Sequence, residues 1–93
     1  MYATIRSYSG TALADALATR QDEIRQLLET IDGFRAYYVL RTTDGNTVSI
    51  SVFDDPAGAE ESTRVAAAWV GENLADLGLS PPQVTTGEVA FSF

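Results

Sequence analysis

Apolar residues recur at helical spacing in the first part of the chain. Between Thr11 and Gly33 the apolar stripe has intervals of three, four and seven residues, and acidic residues lie off it. The members of this stripe are Leu13, Leu17, Ile24, Leu27, Leu28 and Ile31. The pattern predicts one amphipathic helix that begins after Thr11 and ends near Gly33.

A second helix is predicted after Asp54 and Asp55, where an acidic cap precedes Pro56 in the position of a first helical turn. Gly78 is a suitable C-terminal cap for this helix. The apolar stripe between them consists of Ala66, Trp69, Val70, Leu74 and Leu77. This segment therefore reads as a second amphipathic helix.

Four segments rich in aromatic and β-branched residues predict strands over residues 2–9, 34–43, 47–53 and 84–93. Asp44-Gly45-Asn46 predicts a hairpin between the second and third strands. The third strand alternates the apolar residues Val48, Ile50 and Val52 with the hydroxyl residues Thr47, Ser49 and Ser51. We expect the helices to pack on its apolar face. We expect the fourth strand to reach the last residue, because exposed phenylalanines at positions 91 and 93 are unfavourable in water.

The element order is βαββαβ, which indicates an α+β, ferredoxin-like fold with both helices on one face of a four-stranded antiparallel sheet. Ninety-three residues suit a single domain over residues 1–93. Strand pleating places Tyr37 and Tyr38 on opposite sides of the second strand. We therefore expect several aromatic residues on the helix-free face. Such a patch predicts dimerisation through the sheet.

Charge and composition exclude several kinds of partner. Thirteen acidic residues oppose six basic residues, all of them arginines scattered singly, so neither a nucleic acid nor an anionic membrane is an expected partner. The chain has no cysteine and no histidine, which removes thiolate sites and the commonest metal ligand. We expect no metal and no cofactor. Without a signal-like start or a long apolar run, the expected location is cytoplasmic.

The chain resembles the dimeric α+β barrel superfamily, and within it the small proteins similar to antibiotic-biosynthesis monooxygenases. The resemblance covers nearly the whole chain and rests on the element order, on Asp32-Gly33-Phe34-Arg35-Ala36-Tyr37, and on Ser51-Val52-Phe53-Asp54-Asp55-Pro56-Ala57-Gly58-Ala59-Glu60. These motifs are typical of the fold and carry no catalytic specificity. The resemblance implies a homodimer with a pocket between sheet and helices, or between sheet and partner. It does not extend to the haem-degrading branch, because Leu79 stands where that branch has histidine.

Cofactor-independent monooxygenases of the family place an asparagine one helical turn before a tryptophan beside the substrate. If Trp69 corresponds to that tryptophan, Val65 occupies the asparagine position, and the available amide is Asn73, one turn later. Either Asn73 takes the role from the other side or the role is missing. Trp69 also suits ordinary core packing on an apolar helical stripe.

Three functional hypotheses follow. The first is a cytoplasmic homodimer that binds a small apolar or aromatic molecule in a sheet–helix pocket. The second is a cofactor-independent monooxygenase acting on a phenolic substrate. The third is a non-catalytic structural or interaction module. Because these hypotheses differ in whether the protein catalyses a reaction, the sequence leaves enzymatic activity open. A buried arginine facing the pocket would favour an anionic or enolic ligand. The pocket candidates are Trp69, Asn73, Tyr8, Tyr37, Tyr38 and Arg6, and each tyrosine also suits an interface.

Overall fold

The computed structural model describes all 93 residues and has the predicted βαββαβ order with its first helical segment divided in two. The strands are β1 (Tyr2–Tyr8), β2 (Phe34–Arg41), β3 (Thr47–Phe53) and β4 (Gln83–Glu88). The helices are α1 (Ala12–Ala18), α2 (Gln21–Glu29) and α3 (Pro56–Asn73), and a short 3-10 helix (Ala75–Leu77) follows α3. Each helix is too short or too polar to cross a membrane.

The four strands form one antiparallel sheet in the order β2-β3-β1-β4. β1 is central and pairs with β3 from Tyr2 opposite Phe53 to Tyr8 opposite Thr47. Its other edge pairs with β4, from Tyr2 opposite Glu88 to Ser7 opposite Gln83. The predicted hairpin joins β2 to β3. This topology confirms the ferredoxin-like α+β fold.

The prediction of one continuous helix between Thr11 and Gly33 is wrong. The helix breaks at Thr19 and Arg20, between α1 and α2. The Thr19 hydroxyl donates to the carbonyl of Ala16 at 2.8 Å, and the Gln21 side chain donates to the carbonyl of Ala18 at 3.1 Å. These side chains satisfy carbonyls at the end of α1 and allow the chain to turn. Both helices still direct leucines into the core.

The predicted start of the second helix is confirmed, whereas α3 ends at Asn73, before the predicted stop at Gly78. Asp55 is its N-cap, and the carboxylate oxygen accepts a hydrogen bond from the Gly58 N–H at 3.1 Å. Pro56 occupies the first helical position, where its missing N–H leaves nothing unsatisfied. The stop at Gly78 follows the 3-10 helix, and the glycine has φ 61°, in the left-handed region that a C-cap requires.

The helices pack on the opposite sheet face from the one predicted. Thr47, Ser49 and Ser51 are buried beneath them, whereas Val48, Ile50 and Val52 lie on the helix-free face. The hydroxyl side faces inward because it surrounds the buried Arg6 of β1, whose guanidinium donates to Ser51. The helix-free face, defined here by Ile5, Tyr38, Leu40, Val48, Ile50 and Val52, keeps much of its apolar surface exposed.

The small residues of α3 explain why hydroxyl side chains suffice beneath it. Gly58, Ala59 and Ser62 are buried where α3 crosses the sheet, and Ala59 and Ser62 have no exposed surface. Short side chains on both surfaces allow the helix to approach closely, and the larger side chains of Arg6 and Phe53 fill the remaining space. The apolar core extends beneath α1 and α2 and includes Phe53 and Ala59 at this contact.

The fourth strand ends at Glu88, so its predicted extension to Phe93 is wrong. The last register pair joins Glu88 to Tyr2, and the Val89 N–H donates to the Met1 carbonyl at 2.8 Å. Phe91 and Phe93 pack edge-on against each other with ring centroids 5.7 Å apart, and both are highly exposed in the single chain.

Candidate ligand-binding site

A groove of about 530 Å³ runs between the two short helices and the edge strand β2. Its floor is apolar and consists mainly of Leu17 from α1, Ile24 and Leu28 from α2, and Phe34 and Val39 from β2. The volume lies within the range of small-molecule sites, and an apolar floor with few polar groups is typical of such sites. The groove is therefore large enough for a small organic ligand.

Arginines form much of the polar rim of this groove. Arg25, Arg35 and Arg41 all line it, although the protein as a whole carries a formal charge of −7. Arg35 pairs with Asp54, and Arg41 pairs with Asp15 at 3.0 Å, while Arg25 has no ion-pair partner. All three arginines are solvent-exposed, so each contributes only a weak, screened attraction for an anion.

Arg6 is the one arginine in the protein interior, and only 2% of its surface is exposed. Its guanidinium donates to the hydroxyls of Ser51 at 2.7 Å, Thr63 at 3.1 Å and Ser62 at 3.4 Å. These partners satisfy hydrogen-bond donors without supplying a negative charge. None of the four ion pairs in the structure involves Arg6; all of them are formed by arginines at the surface. The buried positive charge of Arg6 therefore has no carboxylate counter-ion.

Two tyrosines lie beside this buried cation. Burial raises the pKa of the Tyr8 and Tyr37 hydroxyls, and the neighbouring Arg6 charge offsets part of that rise. Hydrogen bonding from Ser49 also acts to lower the pKa of Tyr37. Because the desolvation is larger in both cases, the two tyrosines stay neutral at physiological pH and provide no counter-ion for Arg6.

A second, much smaller cavity of about 30 Å³ lies at the inner side of these residues. Arg6, Tyr8, Tyr37 and Trp69 line it, together with Ser49 and several leucines. Leu17, Ile24, Leu28 and Tyr37 line both this cavity and the groove, so the two spaces share a wall. The inner cavity accommodates a water molecule or one oxygen atom of a ligand, but not an aromatic ring.

Trp69 is partly buried and reaches the inner cavity with its ring. Its indole N–H donates to Glu23 at 3.2 Å, and the Arg20 guanidinium lies 4.9 Å from the ring centroid. Asn73 lies outside both cavities: its side chain is exposed, donates to the Trp69 carbonyl and accepts from Arg20. The hypothesis that Asn73 supplies a polar group beside a substrate therefore finds no support in this geometry.

Tyr38 also lies outside both cavities, on the helix-free face, with 57% of its surface exposed. It is the only tyrosine on that face, since Tyr2, Tyr8 and Tyr37 lie on the helix side. The expectation of several aromatic residues on the helix-free face is therefore wrong, and aliphatic residues dominate it. Of the six pocket candidates, the structure brings together Arg6, Tyr8, Tyr37 and Trp69 around the inner cavity.

The groove residues on α1 and α2 were not predicted. A usable signal was present, because Asp22 and Glu23 lie in the first turn of α2, a position that acidic residues favour. Recognising a helix start there would have given two short helices, with Ala14, Leu17, Ile24 and Leu28 facing β2. Arg25 carried no distinguishing signal in the sequence.

Comparison with solved structures identifies the fold. The chain is similar to the NE2512 protein of unknown function from Nitrosomonas europaea, with 23% identity and a TM-score of 0.68, over 99% of this chain and 90% of that one. It is also similar to the ActVA-Orf6 monooxygenase of Streptomyces coelicolor, solved with nanaomycin D, with 15% identity and a TM-score of 0.72 over 99% and 89%. No protein-family model and no curated protein match the sequence.

A dimeric ferredoxin-like protein from an uncultured marine organism has the same architecture, with 10% identity and a TM-score of 0.73 over 99% of this chain and 96% of that one. At such identities the likeness concerns the fold. The expected resemblance to antibiotic-biosynthesis monooxygenase-like proteins is confirmed at that level. This chain has the ferredoxin-like α+β fold.

Proposed function

We propose that this protein binds a small, mostly apolar or aromatic molecule in the groove between α1, α2 and β2. The observation that carries the proposal is the groove itself, with a volume of about 530 Å³ and an apolar floor. Exposure of this apolar floor to water is unfavourable in free energy, and a flat hydrophobic ligand would cover it. The arginine-containing rim would hold a polar substituent of that ligand at the mouth.

The first test is calorimetric titration of the protein with a panel of phenols, naphthols and quinones. Ala18→Trp places a large ring in the groove from an exposed position on α1, and we expect it to weaken binding by roughly tenfold or more, which corresponds to about 1.4 kcal/mol. Ala12→Trp is the matched control, because residue 12 is exposed on the same helix away from the groove. No binding anywhere in the panel, or equal losses in both variants, contradicts the proposal.

The binding protein is proposed to be a homodimer in which two helix-free faces meet. Ile5, Tyr38 and Leu40 expose between 40% and 57% of their surface there, and they form one patch with Val48 and Ile50. Contiguous apolar patches on small proteins usually mark interfaces. The exposed rings of the C-terminal segment add further apolar surface that a second copy would cover. One similar solved structure is described as dimeric.

Sedimentation velocity tests this assembly. Ile5→Asp places a charge in the centre of the helix-free face, and we expect it to convert dimers to monomers. Ala68→Asp introduces the same charge on the exposed side of α3 and is expected to leave the dimer intact. A wild-type protein that sediments as a monomer, or equal behaviour of the two variants, excludes the sheet-to-sheet dimer.

Cofactor-independent oxygenation of a phenolic ligand is the second candidate function. The observation that favours it is the buried guanidinium of Arg6, which would stabilise an ionised phenol beside the groove. In such a reaction a CH₂ group of the ligand becomes a carbonyl, one atom of O₂ enters the product and the other leaves as water with the two hydrogens. Oxygen consumption that matches quinone formed, one to one, supports this candidate. Binding without turnover leaves the non-catalytic function.

A further inference from the structure

The inner cavity contains an electrostatic imbalance that the fold does not require. Arg6 exposes only 2% of its surface, yet all of its hydrogen-bond partners are neutral hydroxyls. A buried charge without a counter-ion destabilises a protein. Replacing buried charged groups by apolar residues of similar volume often leaves the stability of the folded protein unchanged or raises it. The chain has thirteen acidic residues, but none of them forms an ion pair with Arg6.

The position of Arg6 relative to the groove suggests what takes the place of that missing charge. The inner cavity of about 30 Å³ holds a single oxygen atom, and Tyr37 forms part of the wall between this cavity and the groove. A ligand whose body lies on Leu17, Ile24 and Leu28 therefore has Arg6 just beyond its inner end. A ligand oxygen would reach Arg6 through this shared wall, which requires the Tyr37 side chain to turn aside.

We infer that the inner cavity at Arg6 is an oxyanion subsite, which receives the ionised oxygen of an acidic aromatic ligand whose ring lies in the groove. This inference rests on the proposed binding function and names the ligand class: phenols, enols and related acids that bind as their anions. The rim arginines attract the anion to the groove mouth, while the dehydrated Arg6 selects the ionised form, since charge interactions are stronger away from water.

No other group that faces Arg6 carries a charge over the relevant pH range. β1 contributes Tyr8 and β2 contributes Tyr37, and burial keeps both neutral well above physiological pH. α3 contributes the hydroxyls of Ser62 and Thr63. The charged groups of the groove, including Arg25 and Glu29, lie on its rim. A pH dependence of binding therefore reports the ionisation of the ligand.

The test uses 4-nitrophenol, whose absorbance distinguishes phenol from phenolate, and its methyl ether 4-nitroanisole, which cannot ionise. The absorbance of wild-type protein saturated with 4-nitrophenol, measured as the pH is varied, gives the pKa of the bound phenol. We expect it to be at least about one unit below that of the free phenol, which means roughly tenfold or greater preference for the anion. The affinity for 4-nitroanisole is expected to be independent of pH.

Arg6→Gln identifies the source of the preference. The variant keeps hydrogen-bond donors for the surrounding hydroxyls but removes the charge, so we expect the bound pKa to rise above the free value, as desolvation then dominates. Arg64→Gln is the matched control, because it removes an exposed charge of α3 that lines neither the groove nor the inner cavity, and it is expected to leave the bound pKa unchanged. Arg25→Gln tests the rim separately, and the loss of this exposed, screened charge is expected to have only a small effect on the bound pKa. If Arg6→Gln does not fold, the wild-type titration and Arg25→Gln decide together: an unlowered wild-type pKa, or a lowering that Arg25→Gln abolishes, overturns the subsite.

The outcomes separate this inference from the proposed function. Binding of both probes with no lowering of the phenol pKa overturns the oxyanion subsite and leaves the binding function intact. If the pKa of bound 4-nitrophenol is lowered in Arg6→Gln as in the wild type but not in Arg25→Gln, the anion binds at the rim. That result also overturns the inference. Failure of both probes and of the wider panel to bind overturns the proposed function and the subsite together.

Discussion

Gly58 provides a sharp test of the packing between α3 and the sheet. A Cβ atom added at this position would lie 2.9 Å from Cδ1 and 3.1 Å from Cβ of Phe53, and 3.1 Å from the carbonyl oxygen of Asp32. Phe53 has no exposed surface, and the Asp32 oxygen belongs to the backbone, so neither neighbour moves away freely. Gly58→Ala is therefore expected to destabilise the protein.

The magnitude follows from two opposing effects. Overpacking of a tight contact costs about 1–3 kcal/mol, whereas alanine in place of a helical glycine gains at most about 1 kcal/mol. The net loss is on the order of 1–2 kcal/mol. For a domain of this size, each 1 kcal/mol lowers Tm by roughly 4–8 °C.

Gly71 is the matched control in the same helix. An added Cβ there meets nothing within 4 Å, and residue 71 is exposed. Gly71→Ala is therefore expected to raise stability by up to about 1 kcal/mol through helix propensity alone. Thermal and urea denaturation measure both variants at one fixed protein concentration, so that any self-association contributes equally to the comparison. If Gly58→Ala is as stable as Gly71→Ala, the close approach of α3 to Phe53 is refuted.

Three further predictions address the cap, the tyrosines and the amide. Asp55→Ala removes the side-chain cap of α3 and should cost about 1 kcal/mol in urea denaturation, whereas Asp55→Asn should cost much less; equal losses would exclude the capping role. In an absorbance titration, Tyr8 and Tyr37 should ionise above the ordinary tyrosine pKa of about 10, because burial raises their pKa values. A pKa raised in the folded state stabilises the fold below about pH 10, and this contribution should be lost as the pH rises through the raised pKa values; ionisation of both tyrosines at about pH 10 would contradict the burial. Asn73→Ala should leave ligand affinity unchanged in calorimetry, and a tenfold loss would place the amide in the site after all.

The sequence was sufficient for those features whose signals are local. The hairpin, the cap at Asp55 and the stop at Gly78 depend on how a side chain or a glycine interacts with its own stretch of backbone. Element order then limits the topology to very few arrangements. This is why the ferredoxin-like fold could be predicted even though the break between α1 and α2 was missed.

The orientation of the sheet could not be obtained in the same way. Alternation along β3 shows that its two faces differ, but it does not show which face lies beneath the helices. That choice depends on contacts of Arg6 with Ser51 and Ser62, which are 45 and 56 residues away along the chain. An exposed aliphatic face has the same alternating pattern as a core face. The prediction therefore assigned the helices to the wrong side.

The candidate site was predictable in its chemistry and not in its shape. Arg6, Tyr8, Tyr37 and Trp69 are unusual residues in their segments, and the structure places all of them on one small cavity. The groove depends on how α1 and α2 lie against β2, which no local pattern encodes. That these residues bind a ligand stays a prediction, as does the cytoplasmic location.

The central position of β1 has a consequence for how the chain folds during synthesis. β1 leaves the ribosome before the other three strands, but its neighbours in the sheet are residues 47–53 and 83–88. The β2–β3 hairpin forms from adjacent segments, within roughly 1–10 μs of its emergence. One edge of β1 then stays open until residues 83–88 have been made. Nascent chains that stop short of residue 83 expose an unpaired strand edge, and the closing step of folding is the capture of the last strand by the first.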